Sequence, residues 1–534
     1  MSTQHPAVVL DGISLLWPDG AIALSGLDAT FNPGRTGLVG TNGAGKSTLL
    51  RIVAGDLTPT SGSVSVRGQV RYLPQHITLQ AEATVADLLG VRDRLDALQA
   101  IESGDPDPRH FEALADDWGI EERARAALGA AGLDDLGLDR RVATLSGGET
   151  VATALTGVGL SGAEIALLDE PTNNLDREAR RRLYDLIAGW RGTLVVASHD
   201  LELLDLMDET AELRGDSVTV YGGPYSAFRE HVEREQAAAE QALATAEQKL
   251  RVEKRQRVEA QTKLARRQRY ARTDYENKRR PKSIMKARAG EAEVSAGKLR
   301  GELDEKIDRA RELRDWSAER VRRDPRVTIE LPPPGLPAGR RVAELHDVSG
   351  GTIVVQGPER LALTGRNGAG KTRLVETLVR PRPHGQEPYA TPLSTRIGYL
   401  PQRLDHLDDA TTLLETVRIA RPDADPEEVR ATLAGFGFRG DVVHRQVGDV
   451  SGGERFRVAL ATVLLADPPN ELLVLDEPTN NLDIATVEQV VAALDAYRGA
   501  LLVISHDDTF LGRLRIDTYV HLENGRLAAS RRLR

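Results

Sequence analysis

One ordered set of short motifs is written twice in this chain. The first set reads Gly40-Thr41-Asn42-Gly43-Ala44-Gly45-Lys46-Ser47, Gln75, Leu145-Ser146-Gly147-Gly148-Glu149, Leu168-Asp169-Glu170 and Ser198-His199-Asp200. It returns, about 305 to 327 residues on, as Gly365-Arg366-Asn367-Gly368-Ala369-Gly370-Lys371-Thr372, Gln402, Val450-Ser451-Gly452-Gly453-Glu454, Leu475-Asp476-Glu477 and Ser505-His506-Asp507. A repeat of that span demands two domains of one fold, each burying its own core, and 534 residues leave room for a connector as well.

The text around each copy gives the fold class. Gly37-Leu38-Val39 and Leu361-Ala362-Leu363 read as short strands that run into a glycine-rich turn and then a helix, the setting of a phosphate-binding loop. Ile165-Ala166-Leu167-Leu168, Thr193-Leu194-Val195-Val196 and their counterparts Leu472–Leu475 and Leu501–Ile504 are continuous apolar runs, as strands covered on both faces of a parallel sheet must be. Between Gln75 and Ser146 an Ala-rich, charged stretch predicts helices over Ala83–Leu98 and Glu121–Leu133, and the second copy carries a shorter version. The expected fold is therefore α/β, with domains over 1–225 and 326–534 and a helical subdomain at about 83–160.

The glycines of such a loop let consecutive N–H groups converge on phosphates at a helix N-terminus. Gly40, Asn42, Gly43, Gly45 and Gly365, Asn367, Gly368, Gly370 are the cradle, with Lys46 and Lys371 reaching the outer phosphates and Ser47 and Thr372 a magnesium ion; Thr48 follows in the first copy. Asp169 and Asp476 end apolar strands where that ion would sit, and Glu170 and Glu477 are placed to polarise a water. One histidine after an apolar strand is ordinarily a cap. The same Ser-His-Asp after both strands points instead to His199 and His506 as groups that hold the water and the terminal phosphate. Ser146-Gly147-Gly148 and Ser451-Gly452-Gly453, each opening an apolar helix, aim hydroxyl and N–H groups at an anion.

Charge is distributed unevenly. The net charge is -10, yet Lys249–Arg288 holds 16 basic and 4 acidic side chains, which polarises that segment toward a polyanion. Eight of the ten lysines lie between Lys249 and Lys306, and the other two are Lys46 and Lys371 of the loops. From Ser226 to about Arg323 the composition is that of a helical hairpin, with a first arm to about Asp274 on the order of 70 Å long and a turn near Arg279-Arg280-Pro281. The linker is set at 226–325. The chain has no cysteine, which fits a reducing compartment. It shows neither a signal-like start nor a run of about 18 apolar residues, and is read as cytoplasmic.

Together the motifs resemble the ABC ATPase superfamily, and within it the ABC-F subfamily of tandem ATPases that act on ribosomes. Asp-Glu-Pro-Thr-Asn-Asn-Leu-Asp at 169–176 and 476–483, the turn Tyr221-Gly222-Gly223-Pro224-Tyr225 and the basic hairpin carry the resemblance. It implies ATP and Mg2+ as ligands, with Gln75 and Gln402 joining Ser47, Asp169, Thr372 and Asp476 at the metal. It implies head-to-tail pairing within a monomer: a first site of Lys46, Gln75, Asp169, Glu170 and His199 facing Ser451–Glu454, and a second of Lys371, Gln402, Asp476, Glu477 and His506 facing Ser146–Glu149. Trp17 stands where the family stacks adenine, whereas His346–Gln356 offers no such aromatic; Arg373 and Thr150-Val151 also depart from the pattern, and all three departures fall at the second site.

By the same resemblance the ATP-bound chain enters the ribosomal exit site and points the hairpin at the peptidyl-transferase centre and peptidyl-tRNA. Lys263, Arg266, Arg267, Arg269, Arg272, Lys278, Arg279, Arg280, Lys282 and Lys286 would meet rRNA or tRNA phosphates, with Tyr270 or Tyr275 to stack. The outcome would be translation regulation or antibiotic resistance by ribosome protection. Two other readings stay open at this point: the ATPase pair of an exporter with transmembrane partners on separate chains, and a DNA-handling ATPase.

Overall fold

The structure is a computed structural model that describes residues 6–75, 82–276, 282–322, 331–381, 387–480 and 482–531, with side chains inside the long helices described except at 267, 268 and 270–293. Two units are distinguished by their contacts: residues 1–225 with 325–534, and residues 226–324.

In the first unit each motif copy is built on a six-stranded sheet. The first runs in the order Val70–Leu73, Ile165–Asp169, Thr193–Ala197, Gly34–Val39, Glu209–Arg214, Ser217–Gly222, parallel except for the last strand. The second repeats it with Ile397–Leu400, Leu472–Asp476, Ala500–Ile504, Arg360–Thr364, Thr518–Glu523 and Arg526–Arg531. Every residue of the central strands Ile165–Asp169, Thr193–Ala197, Leu472–Asp476 and Ala500–Ile504 is buried. Their apolar side chains are covered on both faces, which is why they read as uninterrupted runs. A three-stranded antiparallel sheet, Ile22–Phe31, Val8–Leu16 and Ser61–Val66, flanks the first copy; Thr352–Gln356, Arg341–His346 and Tyr389–Pro392 match it in the second.

The helical insertion of the first copy comprises Val85–Leu89, Arg92–Glu102, Pro108–Leu114 and Ile120–Ala130. The single helix expected over Ala83–Leu98 is thus two. Gly90 adopts a left-handed φ of 70° and its N–H closes the first helix on Ala86 and Asp87 carbonyls, a conformation that helical periodicity does not register.

The other unit contains two long helices, Tyr225–Glu276 and Lys282–Arg320. At 1.5 Å per residue the first, 52 residues, is about 78 Å long. Leu250 packs with Ile307 and Ala310 between them, Arg257 pairs with Asp304 at 2.7 Å, and Gln236 Oε1 accepts from the Arg322 N–H at 2.8 Å. The turn expected at Arg279–Pro281 lies outside the described residues. Among the described residues no helix is long and apolar enough to cross a membrane.

Candidate functional site: two phosphate loops on one seam

Each phosphate loop is shaped by glycines that no other residue replaces without strain. Gly45 and Gly370 precede the helices Lys46–Ala54 and Lys371–Glu376 with φ of 100° and 93°. A Cβ on Gly40 or Gly365 would lie 2.6 Å or 2.3 Å from the carbonyl oxygen of Leu213 or Leu522. The loop therefore stays narrow, and Lys46 Nζ donates back to the Gly40 and Thr41 carbonyls at 2.8 and 3.3 Å. Lys371 Nζ does the same to Gly365 and Arg366 at 2.7 and 3.0 Å. Burial lowers the pKa of both lysines, opposed at Lys46 by Glu170, Asp483 and Asp169 and at Lys371 by Glu477, Asp476 and Asp176.

Next to each loop lies a carboxylate pair at a strand end. Burial raises Asp169 and Asp476 above the usual carboxylate range; the Ser47 and Thr372 hydroxyls beside them act in the opposite direction. Tyr72 donates to Asp169 Oδ2 at 3.1 Å, but Asp169 Oδ1 and both Asp476 oxygens are buried without a hydrogen bond of good geometry among the described residues. Buried, unpaired carboxylate oxygens beside a hydroxyl suit a hard divalent cation. Among the described residues no group of three or more His, Cys, Asp or Glu is arranged to hold a metal ion by itself. Gln75 lines a cleft with Ser47 and Asp169, and Gln402 one with Thr372 and Asp476.

Glu170 and Glu477 hold left-handed backbone angles, φ 48° and 47°. Such a conformation costs a non-glycine residue on the order of 1–3 kcal/mol. It is held by N–H bonds to the Ala197 and Ile504 carbonyls at 2.8 and 2.9 Å, which turn each carboxylate toward the histidine of the next strand. His199 Nε2 is 3.0 Å from Glu170 Oε1. In the second copy His506 Nε2 is 3.4 Å from Glu477 Oε1 and accepts from Lys371 Nζ at 3.0 Å. Burial, with Lys371 and Arg180 adding to it, brings His506 down to about 3, and burial lifts Glu477 to about 7.

The two copies meet at their loops. Asp483 caps the helix Ile484–Ala496 through Thr486 N–H at 2.7 Å, and its other oxygen accepts from Asn42 N–H at 2.8 Å. Asp176 caps Arg177–Ala188 in the same way and accepts from Asn367 N–H at 3.4 Å, while Asn367 Nδ2 donates to the Asn174 carbonyl at 2.8 Å. The cleft around Lys371, Thr372, Asp476 and His506 is accordingly completed by Asn174 and Leu175 of the first copy. Sequence reading placed Asn42 and Asn367 in the cradle but gave Asn174, Asp176 and Asp483 no part in the site. Their signal was the repeated Asn-Asn-Leu-Asp, which only the pairing of domains turns into a contact.

Ser146 and Ser451 are exposed helix caps in full capping boxes with Glu149 and Glu454. Gly147 lies against Asn174, which lines the Lys371 cleft: a Cβ on Gly147 would be 3.8 Å from the Asn174 carbonyl oxygen. The departures at the second site have structural counterparts. Arg455 anchors the second signature helix to Asp409 and to the Leu404 and Leu407 carbonyls, both at 3.2 Å, whereas Thr150 only returns to the Ser146 carbonyl. Arg373 pairs with Glu387 at 2.6 Å. Trp17, 37% exposed, sits in a tight turn closed by its own N–H on the Ala21 carbonyl. In the second copy the strands flanking that turn are shorter, the turn is tied by Val348 N–H to the Gly525 carbonyl, and His346 stacks on Tyr389 at 4.6 Å.

Of the residues expected on RNA, Lys263, Arg266 and Arg269 are exposed on the first long helix. Arg267, Arg272, Lys282 and Lys286 lie in helices where their side chains fall outside the described residues, as do Lys278, Arg279 and Arg280 altogether.

Comparison with known proteins agrees with this geometry. The ABC transporter family model matches residues 24–173 and 350–480, more than half of the chain. The tylosin resistance ATP-binding protein TlrC of Streptomyces fradiae is 33% identical over 96% of both chains. The probable ATP-binding protein YheS of Escherichia coli K12 is 28% identical over 93% of this chain and 76% of its own, and the ATP-binding protein Uup of Haemophilus influenzae 29% over 92% and 75%. Among solved structures, one of a complex of archaeal ribosomal stalk protein aP1 with archaeal ribosome recycling factor aABCE1 shares the fold at a TM-score of 0.56 and 20% identity, over 97% of this chain and 89% of that one.

Proposed function

We propose, from the premise that this chain belongs to the ABC-F group of the ABC ATPases, that it is an ATPase which closes on two nucleotides and works on the ribosome through its basic helical hairpin. One observation carries the reading: each phosphate loop is hydrogen-bonded to the aspartate that caps a helix of the opposite copy. A nucleotide held by either loop therefore bears on a contact between domains, and its loss loosens that contact.

In the proposed sites Lys46 and Lys371 hold the outer phosphates. Ser47, Gln75 and Asp169, and likewise Thr372, Gln402 and Asp476, would hold Mg2+. That ion, when bound, neutralises charge on the phosphate oxygens. Glu170 and Glu477 take the proton of the attacking water, and His199 and His506 orient it; a carboxylate near pH 7, as at Glu477, is well matched to that role.

The hairpin supplies the output. An arm of about 78 Å turns a small rotation at its base into a displacement of several ångströms at its tip. Its basic stretch suits rRNA or tRNA phosphates at the exit site and peptidyl-transferase centre. The similarity to a tylosin resistance protein along the full length favours ribosome protection as the outcome. The test is cosedimentation of the Glu170→Gln, Glu477→Gln protein with ribosomes. Binding should require ATP and fall with salt, and Lys263→Glu, Arg266→Glu, Arg269→Glu should lower the slope of log affinity against log salt by about two. Recovery with membranes, or ribosome binding indifferent to ATP, sinks the proposal.

A further inference from the structure

Between the two sites lies a half-buried ionic cluster that the proposed chemistry leaves unused. Arg180, on the helix Arg177–Ala188, lines a cavity with Glu170, His199 and Asp200 of its own copy and Asp507 of the other, and a second cavity with His506 and Asp508. Its Nη1 lies 3.4 Å from Asp200 Oδ2, which also accepts from Tyr184 at 2.7 Å, while its Nε is buried without a hydrogen bond among the described residues.

Asp200 directly follows His199 and Asp507 directly follows His506. Each caps a short helix, through the N–H of Leu203 at 3.1 Å and of Phe510 at 2.8 Å, so each carboxylate is fixed to its histidine loop. Burial pushes Asp507 up, the Phe510 N–H and the charge of Arg180 oppose that, and Asp200 adds to it. Two acids of opposite copies thus share the field of one cation.

The copies differ here. Counting from the matched caps Asp176 and Asp483, Arg180 corresponds to Val487 and Tyr184 to Val491, so at this helix position only the first copy carries a guanidinium; the second copy's Arg513 reaches the first cavity from another helix.

We infer that Arg180 is a positioning residue that couples the two hydrolytic sites, its guanidinium tying the His199 loop to the His506 loop. A shift of either loop changes how the guanidinium divides between Asp200 and Asp507, and so moves the other histidine. This is coupling through a contiguous charged contact rather than through closure of the whole seam.

The inference rests on the assignment of Glu170 and Glu477 as hydrolytic residues, and its test separates the two claims. Single-turnover hydrolysis at the second site is measured in the full chain with the first site trapped by Glu170→Gln, and again with it emptied by Lys46→Ala. With Arg180 in place the two rates should differ about fivefold or more, the lower end of ordinary site coupling. Arg180→Val, the residue of the second copy, and Asp507→Asn, which keeps an acceptor for the Phe510 N–H, should each bring the ratio to within twofold of one, and Arg180→Lys should restore part of it. A merely structural loss of closure lowers both rates together and leaves the ratio intact, so an unchanged ratio in Asp507→Asn or Arg180→Val overturns the inference. If Glu170→Gln with Glu477→Gln still hydrolyses ATP at the native rate, the site assignment falls and the inference with it.

Discussion

Asp483 offers the sharpest test of the seam, because its two carboxylate oxygens do separable jobs. Oδ1 caps a helix of the second copy and Oδ2 holds Asn42 of the first phosphate loop, in a position only 8% exposed. Asp483→Ala removes both. The cap is worth about 1 kcal/mol and appears as lost stability of the second domain. The seam bond, from a backbone N–H to a buried carboxylate, is worth roughly 1.5–3 kcal/mol and appears as lost affinity for nucleotide at the first loop, roughly 10- to 150-fold. Asp483→Asn separates them. An amide oxygen still caps, but the NH2 group that replaces the other oxygen cannot accept from Asn42. Affinity of a fluorescent ATP analogue, read at the first loop in a Lys371→Ala background, should fall about tenfold or more in Asp483→Asn with the melting temperature nearly unmoved. Asp176→Asn, read at the second loop in Lys46→Ala, should matter less: its bond to Asn367 is 3.4 Å long and Asn367 keeps its link to the Asn174 carbonyl. Equal losses in the two variants, or a lower melting temperature without a change in affinity, would refute the reasoning.

Acid should open the same contact. At Asp483 and Asp176 burial raises the pKa, but hydrogen bonds from Thr486 and Asn42, and from Ala179 and Asn367, outweigh it, so both end below the ordinary carboxylate value. Folded values lower than unfolded ones mean stabilisation that is complete above about pH 4 and lost as pH falls through the depressed values; unfolding free energy against pH should lose part of that slope in Asp483→Asn. Trp17→Ala should weaken purine nucleotide at the first loop about fivefold, as expected for a stacking contact of about 1 kcal/mol, and leave the second loop unchanged, as checked by equilibrium titration. Ile307→Ala, at a 4% exposed position of the hairpin, should cost that unit about 2–4 kcal/mol in thermal melts followed by circular dichroism, while ATP hydrolysis measured without ribosomes persists.

The readability of this chain follows the range of the forces involved. Central strands were plain because burial on both faces confines polar residues to the strand ends, as at Thr193, Asp169 and Asp476, and the phosphate loops because their glycines answer to local backbone demands, as at Gly40 and Gly365. The long helices were plain from composition, and Gly297 and Gly301 do not interrupt the second because a straight helix tolerates an isolated glycine at about 1 kcal/mol. The break at Gly90 escaped because a left-handed φ is invisible to periodicity. Contacts such as Asn42 with Asp483, 441 positions apart, or His346 with Tyr389, depend on how finished sheets and domains pair, and no window along the chain contains both partners.

The same distinction explains why duplication has not left two equal sites. Residues that answer to the loop itself are retained in both copies: the glycines, the lysines and the strand-end carboxylates. Beyond Trp17 and Arg373, divergence lies where one copy faces the other. Asn42 is held at 2.8 Å and Asn367 at 3.4 Å; His199 lies 3.0 Å from Glu170, whereas His506 is shared between Glu477 and Lys371; and Arg177 pairs with Asp508 across the seam where the second copy has Ile484 in the corresponding place. A seam with one closing free energy and two ligands must obey reciprocity: the factor by which nucleotide at one site changes affinity at the other is the same in both directions, whatever the intrinsic affinity of each site. If closure needs both nucleotides and the two affinities differ, the weaker one would set the ATP concentration at which the domains close, and a titration of closure against ATP that follows the tighter site instead would refute this.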